Sequence, residues 1–441
     1  MKIKRPRPPA GSLRYPLLGH RIGACAALLC TVLAGGAHAG ELGELLATVG
    51  QHPTIRATNR QVEAAQMQVE AASGRYYGSA VATAGYHTYE DKRVVGVFAP
   101  GRTLASLTSD QMGQFGLSYS LPVDVFGVIA SNKERAKNDV QAAELLGRQQ
   151  VLMKMHQAAN AYVTLQSLAK QREALNQSRK RIESTYERVR AEFALGKASG
   201  VDFKYAESEM ARLLADQAVL DGATSQVQAD IQEATGVAGF APKSGEISVP
   251  AWAAPAQDSL AVQIAKTKQR SAVAQADEAR KSLRPSFNLD ANYSYNADMA
   301  SDHRTVWALG GTISIPIGVS QYRQADAQEL AAAAAAEQTE AAARDSERQV
   351  ASLHAAYDTA LADAQAMAKE VAYREDIAHV QQNMQQLGSQ TLENLFRHER
   401  DLLDARFRLI QAKARAAAAW SAAQIVIGIA ADAYITQMDA K

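Results

Sequence analysis

Between residues 115 and 121 apolar and polar positions alternate without exception: Phe115, Leu117, Tyr119 and Leu121 are separated by Gly116, Ser118 and Ser120. A period of two marks a strand with one apolar and one polar face. The same alternation returns at Phe287, Leu289, Ala291, Tyr293 and Tyr295, interleaved with Asn288, Asp290, Asn292 and Ser294. Val81 to Tyr89 and Val306 to Ile317 read similarly, so the pattern predicts two hairpins, or four strands of about 9 to 11 residues. Strands of that length suit a tilted membrane-spanning β-strand, and a soluble antiparallel sheet with one buried face fits the alternation equally well. Four strands cannot close a barrel, and membrane barrels begin at about eight. Insertion in a membrane would therefore require several copies of the chain.

Everywhere else the pattern is helical. All twelve prolines lie before residue 123, between 242 and 285, or at Pro316, which leaves 123 to 241 and 317 to 441 free of the strongest helix breaker. Phe126 to Gly196 and Ser320 to Gly388 each read as one long helix, roughly 100 Å at 1.5 Å per residue. Such helices need lateral partners, because helical stability comes mostly from packing an apolar face. Val201 to about Gly236 and Glu41 to Ser73 are helical too, and laid end to end they match one long helix in length.

The two halves repeat each other. Gly116 to Val123 aligns with Gly310 to Ile317 at an offset of 194, Ala161-Tyr162 with Ala356-Tyr357 at 195, and Leu195-Gly196 with Leu387-Gly388 at 192. Ser199, Phe203 and Glu207 then fall on Thr391, Leu395 and Glu399. The expected organisation is a segment 1–39, a first repeat over 40–235, a linker over 236–256 rich in Pro and Gly, and a second repeat over 257–441. Each repeat would run helix, hairpin, long helix, turn, shorter helix. The loop from Glu90 to Asp110 is the main departure, longer than its counterpart near Asp298 to His303, and long hairpin loops of a membrane barrel lie outside the cell.

Charge and cysteine content follow from the first segment. Lys2, Lys4, Arg5, Arg7, Arg14 and Arg21 precede an apolar run from Ile22 to Leu33 and the Ala37-His38-Ala39 cleavage pattern, which together read as a secretory signal peptide. The run is shorter than the ~20 residues needed to span a bilayer. Removing it lowers the formal charge from +1 to −5 and removes both cysteines, Cys25 and Cys30. The secreted remainder must be held by packing alone, without disulfides or thiolate metal sites. A chain this close to neutral offers no basic field for nucleic acid.

No catalytic constellation stands out. The seven histidines beyond residue 39, His52, His87, His156, His303, His354, His379 and His398, are scattered, and none is paired at metal-ligand spacing. The G-x-S-x-G elbow, the phosphate loop and the H-E-x-x-H helix are absent. An enzyme is not expected, and neither a metal nor a cofactor. The positions of interest are the two turns, Leu195-Gly196-Lys197-Ala198-Ser199-Gly200-Val201-Asp202 and Leu387-Gly388-Ser389-Gln390-Thr391-Leu392-Glu393-Asn394. Glycine can end one helix in the left-handed conformation, and Ser199 or Thr391 can cap the next.

With these residues in view, the chain resembles the outer-membrane efflux factors, the TolC family. The resemblance is carried by His52-Pro53-Thr54-Ile55 before an Ala-rich helix, Leu283-Arg284-Pro285-Ser286-Phe287 leading into a strand, the Leu-Pro-Val and Ile-Pro-Ile strand ends, and the Leu-Gly turns followed by Asp202 or Asn394. It implies a mainly α fold with a small transmembrane β part: a long α-helical coiled-coil barrel below a twelve-stranded β-barrel that a homotrimer closes in outer-membrane lipid. Function would be that of a passive exit duct of a tripartite efflux pump, working with a periplasmic adaptor and an inner-membrane transporter, in the outer membrane of a Gram-negative bacterium. A type I protein secretion channel and a secreted coiled-coil scaffold are the alternatives. By the same resemblance Leu195, Gly196, Ser199, Asp202, Leu387, Gly388, Thr391, Asn394 and Arg397 lie at the periplasmic tip where an adaptor docks and the channel closes. Family members often place acids just after the second turn; Asn394 and Arg397 stand there in this chain. Around a threefold axis Glu393, Arg397, Glu399 and Arg400 would come close enough to form ion pairs. Pro122 and Pro316 mark the strand-to-helix boundaries, where a missing amide donor is tolerated.

Overall fold

The computed structural model describes residues 40–94, 108–243, 246–253, 258–298, 303–386 and 391–439. The segment 1–39 read as a signal peptide, the centre of the long loop at 95–107, and Leu387 and Gly388 of the second turn lie outside the described residues. The chain is mainly α, with eight helices and one four-stranded antiparallel sheet among the described residues.

The first helical stretch breaks in two. Helices α1 (Glu41–Thr48) and α2 (Pro53–Gly74) are separated by a short 3-10 turn at Val49–Gln51. Pro53 suits the first turn of a helix, where no amide donor is needed. His52 caps α2 by accepting a 3.2 Å hydrogen bond from the Thr54 amide on Nδ1. Strand β1 (Ser79–Val94) follows, then β2 (Thr108–Val123), α3 (Val128–Ala194) and α4 (Gly200–Thr235). After an irregular segment come α5 (Leu260–Lys281), β3 (Ser286–Asp298), β4 (His303–Ser314), α6 (Val319–Gln386), α7 (Leu392–Ile427) and α8 (Ala431–Asp439).

The 67 residues of α3 and 68 of α6 each extend for roughly 100 Å. Each is flanked by two shorter helices in succession. Along α3, Thr58 of α2 lies against Gly147, while farther on Arg179 reaches Gln217 of α4 at 3.1 Å. Along α6, Arg280 of α5 binds Glu329 near one end, and Arg415, Arg406 and Arg374 bind or are bound by α6–α7 partners toward the other.

Two apolar cores keep these layers together. In the first, Leu46, Ala158, Ile231, Ala417, Trp420 and Tyr434 are fully or almost fully buried. Val237, Phe240, Ile247, Val249 and Trp252 of the irregular segment pack on it. That segment is pinned by successive carbonyls: Tyr357 donates to Pro250 O at 2.9 Å and Trp420 Nε1 to Ala251 O at 3.2 Å. The second core runs toward the α3–α4 turn through Leu175, Ile182, Val189, Ala206, Leu213, Phe396 and Leu403.

The strands are longer than their alternation indicates. β1 and β2 have 16 residues each, β3 has 13 and β4 has 12. Hydrogen-bonded pairing of β1 extends past Tyr89 through an irregularity between Thr88 and Arg93. β4 stops at Ser314 rather than at Ile317. Pro316 has no donor for the ladder and restricts the residue before it. Pro122 sits inside β2, opposite Asn288 of β3, but β1 pairing has already ended at Ser120. Its missing N–H therefore leaves no partner on that side unsatisfied.

Candidate functional site

The strand order is β1-β2-β3-β4, so β1 and β4 are both edges. Register places Ala82, Leu117, Tyr293 and Trp307 in one row, Ala80, Tyr119, Ala291 and Leu309 in the next, and Val123, Phe287 and Ile313 at the helical end. Among the described residues no helix covers this apolar face: Trp307 is 75% exposed, Leu309 76% and Ile313 64%. From Phe287 to Tyr295 it extends about 27 Å along the strand, or about 21 Å when tilted by ~40°, close to the ~25 Å lipid-facing band of membrane barrels. The opposite face carries Ser118, Ser120, Asn288, Asp290, Asn292 and Thr312. Among the described residues no helix is long and apolar enough to cross a membrane.

At the far end of the helices, the α3–α4 turn is built as its residues dictate. Leu195 N donates to Ala191 O at 3.2 Å, and Gly196, at φ +70°, donates to Phe193 O at 2.9 Å. Ser199 Oγ accepts from the Asp202 amide at 3.0 Å and donates to its Oδ2 at 2.7 Å. Phe193 and Phe203 stack with centroids 5.1 Å apart, closing the pair of helices. Leu195 and Val201 are left 71% and 77% exposed. In the second turn Thr391 Oγ1 accepts from the Asn394 amide at 3.3 Å, and Arg397 donates to Asn394 Oδ1 at 2.6 Å. Glycine at φ > 0 and a serine cap have known costs of replacement, so Gly196→Ala and Ser199→Ala should each lower stability by about 1 kcal/mol. Thermal unfolding of single variants measures this; a midpoint unchanged in both would show the turn geometry to be unimportant.

Glu399 and Arg400 are arranged differently from the axial grouping read from the sequence. Both pair within one chain. Arg181 of α3 grips Glu399 of α7 through three contacts of 2.8 to 2.9 Å, and the Glu399 side chain is only 5% exposed. Arg400 binds Glu209 of α4, whose side chain is also 5% exposed, and Arg212 lies 3.3 Å from the same carboxylate. Four helices are thus tied near the tip: Arg374 of α6 binds Asp401 of α7 at 2.8 Å. Helix packing determines the direction of these residues, so Glu399 turns inward while Arg397, three positions from Asn394, stays at the surface end. Arg181 and Glu209 had no distinguishing sequence signal, because charge on a long helix is usually solvated.

Three further polar side chains meet at the first core. His156 Nδ1 meets Ser421 Oγ at 2.7 Å, and Ser421 in turn contacts the Tyr434 hydroxyl. Burial lowers the His156 pKa and raises that of Tyr434, so both favour the uncharged form. The chain Ser421, His156, Tyr434 holds α3, α7 and α8 together; it opens onto no cleft, since Tyr434 is fully buried.

Residues 47–237 match the family model described as outer membrane efflux protein. No curated protein matches the chain. Among solved structures, the open state of the Neisseria gonorrhoeae MtrE outer membrane channel is similar with a TM-score of 0.75 and 19% identity, covering 88% of this chain and 88% of that one. CusC, a protein that forms a transmembrane channel, superposes with a TM-score of 0.75 at 16% identity over 88% of this chain and 92% of its own. The outer membrane protein VceC of Vibrio cholerae gives a TM-score of 0.73 at 18% identity over 88% and 96%. The fold is that of these channels, and the resemblance carried by the strand ends and turns holds.

Proposed function

We propose that this chain, TolC-like in fold and matched over residues 47–237 by the outer membrane efflux protein family, is the outer-membrane exit duct of a tripartite efflux pump. The observation that carries the reading is the sheet: an apolar face on which Leu117, Leu289, Tyr293, Trp307, Leu309 and Ile313 are exposed, with β1 and β4 both left as edges among the described residues. An open edge and an uncovered apolar face are unfavourable in water and in lipid alike, and closure with other copies removes both costs when the apolar face meets lipid. Three copies give twelve strands, the polar faces of which would line a lumen. The roughly 100 Å helices continue that lumen across the periplasm.

The two turns would then point away from the outer membrane. Leu195 and Val201, exposed beside Gly196 and Ser199, would offer an adaptor an apolar contact at the first turn, with Asp202 in the capping hydrogen bonds behind it. Thr391, Asn394 and Arg397 would occupy the equivalent place at the second, together with Leu387 and Gly388. Transport through such a duct is passive, with energy supplied by an inner-membrane transporter.

Reconstitution in planar bilayers tests this. Purified protein should require detergent, migrate as a trimer in sodium dodecyl sulfate, and produce discrete conductance steps. Arg397→Ala, which removes the 2.6 Å link to Asn394, should raise the open-state conductance if the second turn narrows the duct. A monomer that remains in plain buffer and conducts nothing would support the secreted scaffold instead.

A further inference from the structure

The polar face of the sheet is nearly free of charge in its middle and helical-end rows. From the row of Pro122, Asn288 and Thr312 to the row of Gly116, Ser294 and Val306, every position except one is Gly, Ala, Val, Ser, Thr, Asn or Pro. The exception is Asp290 on β3. Its carboxylate is fixed across three strands: Ser120 Oγ of β2 donates to Oδ1 at 2.7 Å, and Thr312 Oγ1 of β4 donates to Oδ2 at 2.8 Å. The directly paired residue on β4 is Gly310, which has no side chain to cover the acid. No lysine or arginine stands in those rows to neutralise it.

We infer that Asp290 is a specificity-determining residue, giving each copy one fixed negative charge in the middle and helical-end rows of the barrel interior, short of the rows of Arg304 and Asp298, and a trimer a ring of three that favours cations over anions. This rests on the channel reading above. Twelve strands spaced about 4.8 Å apart and tilted by ~40° close on a backbone radius of about 12 Å, so an inward carboxylate lies on the order of 9 Å from the axis. The Debye length is about 8 Å at 0.15 M salt and about 30 Å at 0.01 M. The ring therefore acts over most of the bore at physiological ionic strength and over all of it in dilute salt. Rings of acidic side chains are a general means of selecting cations.

The test is the reversal potential of single channels in planar bilayers under potassium chloride gradients. Wild-type protein should pass K+ in preference to Cl−, increasingly so as salt is lowered. Asp290→Asn keeps the shape, its amide oxygen accepting from one of the two hydroxyls and its NH2 donating to the other, and should lower the cation-to-anion permeability ratio at least about twofold in dilute salt. Its conductance in about 1 M salt, where the Debye length is about 3 Å, should stay close to wild type. Asn288→Asp adds a carboxylate on the same face and should raise the ratio, which decides the matter if Asp290→Asn fails to assemble. Ratios unchanged in normally conducting variants would overturn the inference and leave the channel reading in place. Absence of conductance in the wild-type protein would overturn both.

Discussion

Leu309→Arg is expected to abolish assembly in the outer membrane. Leu309 sits on edge strand β4 in the row of Ala80, Tyr119 and Ala291, and is 76% exposed on the apolar face. Arginine on the lipid face of a barrel costs about 2–4 kcal/mol near the bilayer midplane and little near the interfaces. With one copy in each of three chains the total is roughly 6–12 kcal/mol, comparable to the stability of a whole domain. Asn292→Lys, on the opposite face of the neighbouring strand β3, should be tolerated because that side meets water. Detergent-extracted trimer yield and bilayer conductance measure both. A Leu309→Arg protein that assembles and conducts normally would show that this face does not meet lipid.

The second large effect is expected at Arg181. Its removal leaves the Glu399 carboxylate, 5% exposed, without its counter-charge. Breaking a buried pair by deleting one partner destabilises by about 3–5 kcal/mol. The lower end applies, because Arg181 keeps 31% of its side chain in water. Replacing both partners, as in Arg181→Met with Glu399→Leu, removes the uncompensated charge and should restore much of the loss. Loss of helical signal on heating measures the difference between the single and double variants. Equal midpoints for Arg181→Ala and wild type would mean that this pair contributes nothing to the tip.

These two sites differ in how far they were legible in the sequence. The apolar face bearing Leu309 follows from a period-two pattern, since a strand alternates its side chains whatever surrounds it. The long helices follow from the absence of proline, and their observed ends at Ala194 and Gln386 lie within two residues of those read from Gly196 and Gly388. The break at His52-Pro53 was spelled out by a cap and an N1 proline, yet the continuous helical composition on either side concealed it. Arg181 and Glu399 are 218 residues apart. Their pairing depends on the azimuth at which α7 meets α3, and no local periodicity encodes it. Asp290 lies between these cases: it is visible as the single acid among Asn and Ser positions, but its flanking hydroxyls become evident only once the register sets Ser120 and Thr312 beside it. The strand extension to Val94 is not legible in the sequence, because Glu90-Asp91-Lys92-Arg93 carries no alternation of apolar and polar positions.

The carbonyls of Pro250 and Ala251 hold Tyr357 of α6 and Trp420 of α7 to one point of the chain. From Tyr357 to the end of α6 at Gln386 a helix runs free of that staple for about 44 Å. It is a lever with a short fulcrum: a tilt of about 10° at the staple moves the far end by about 8 Å, more than a water molecule and its neighbours, without disturbing a single contact in the sheet. In the proposed channel the aperture at one end would thus be redrawn while the wall at the other stands still.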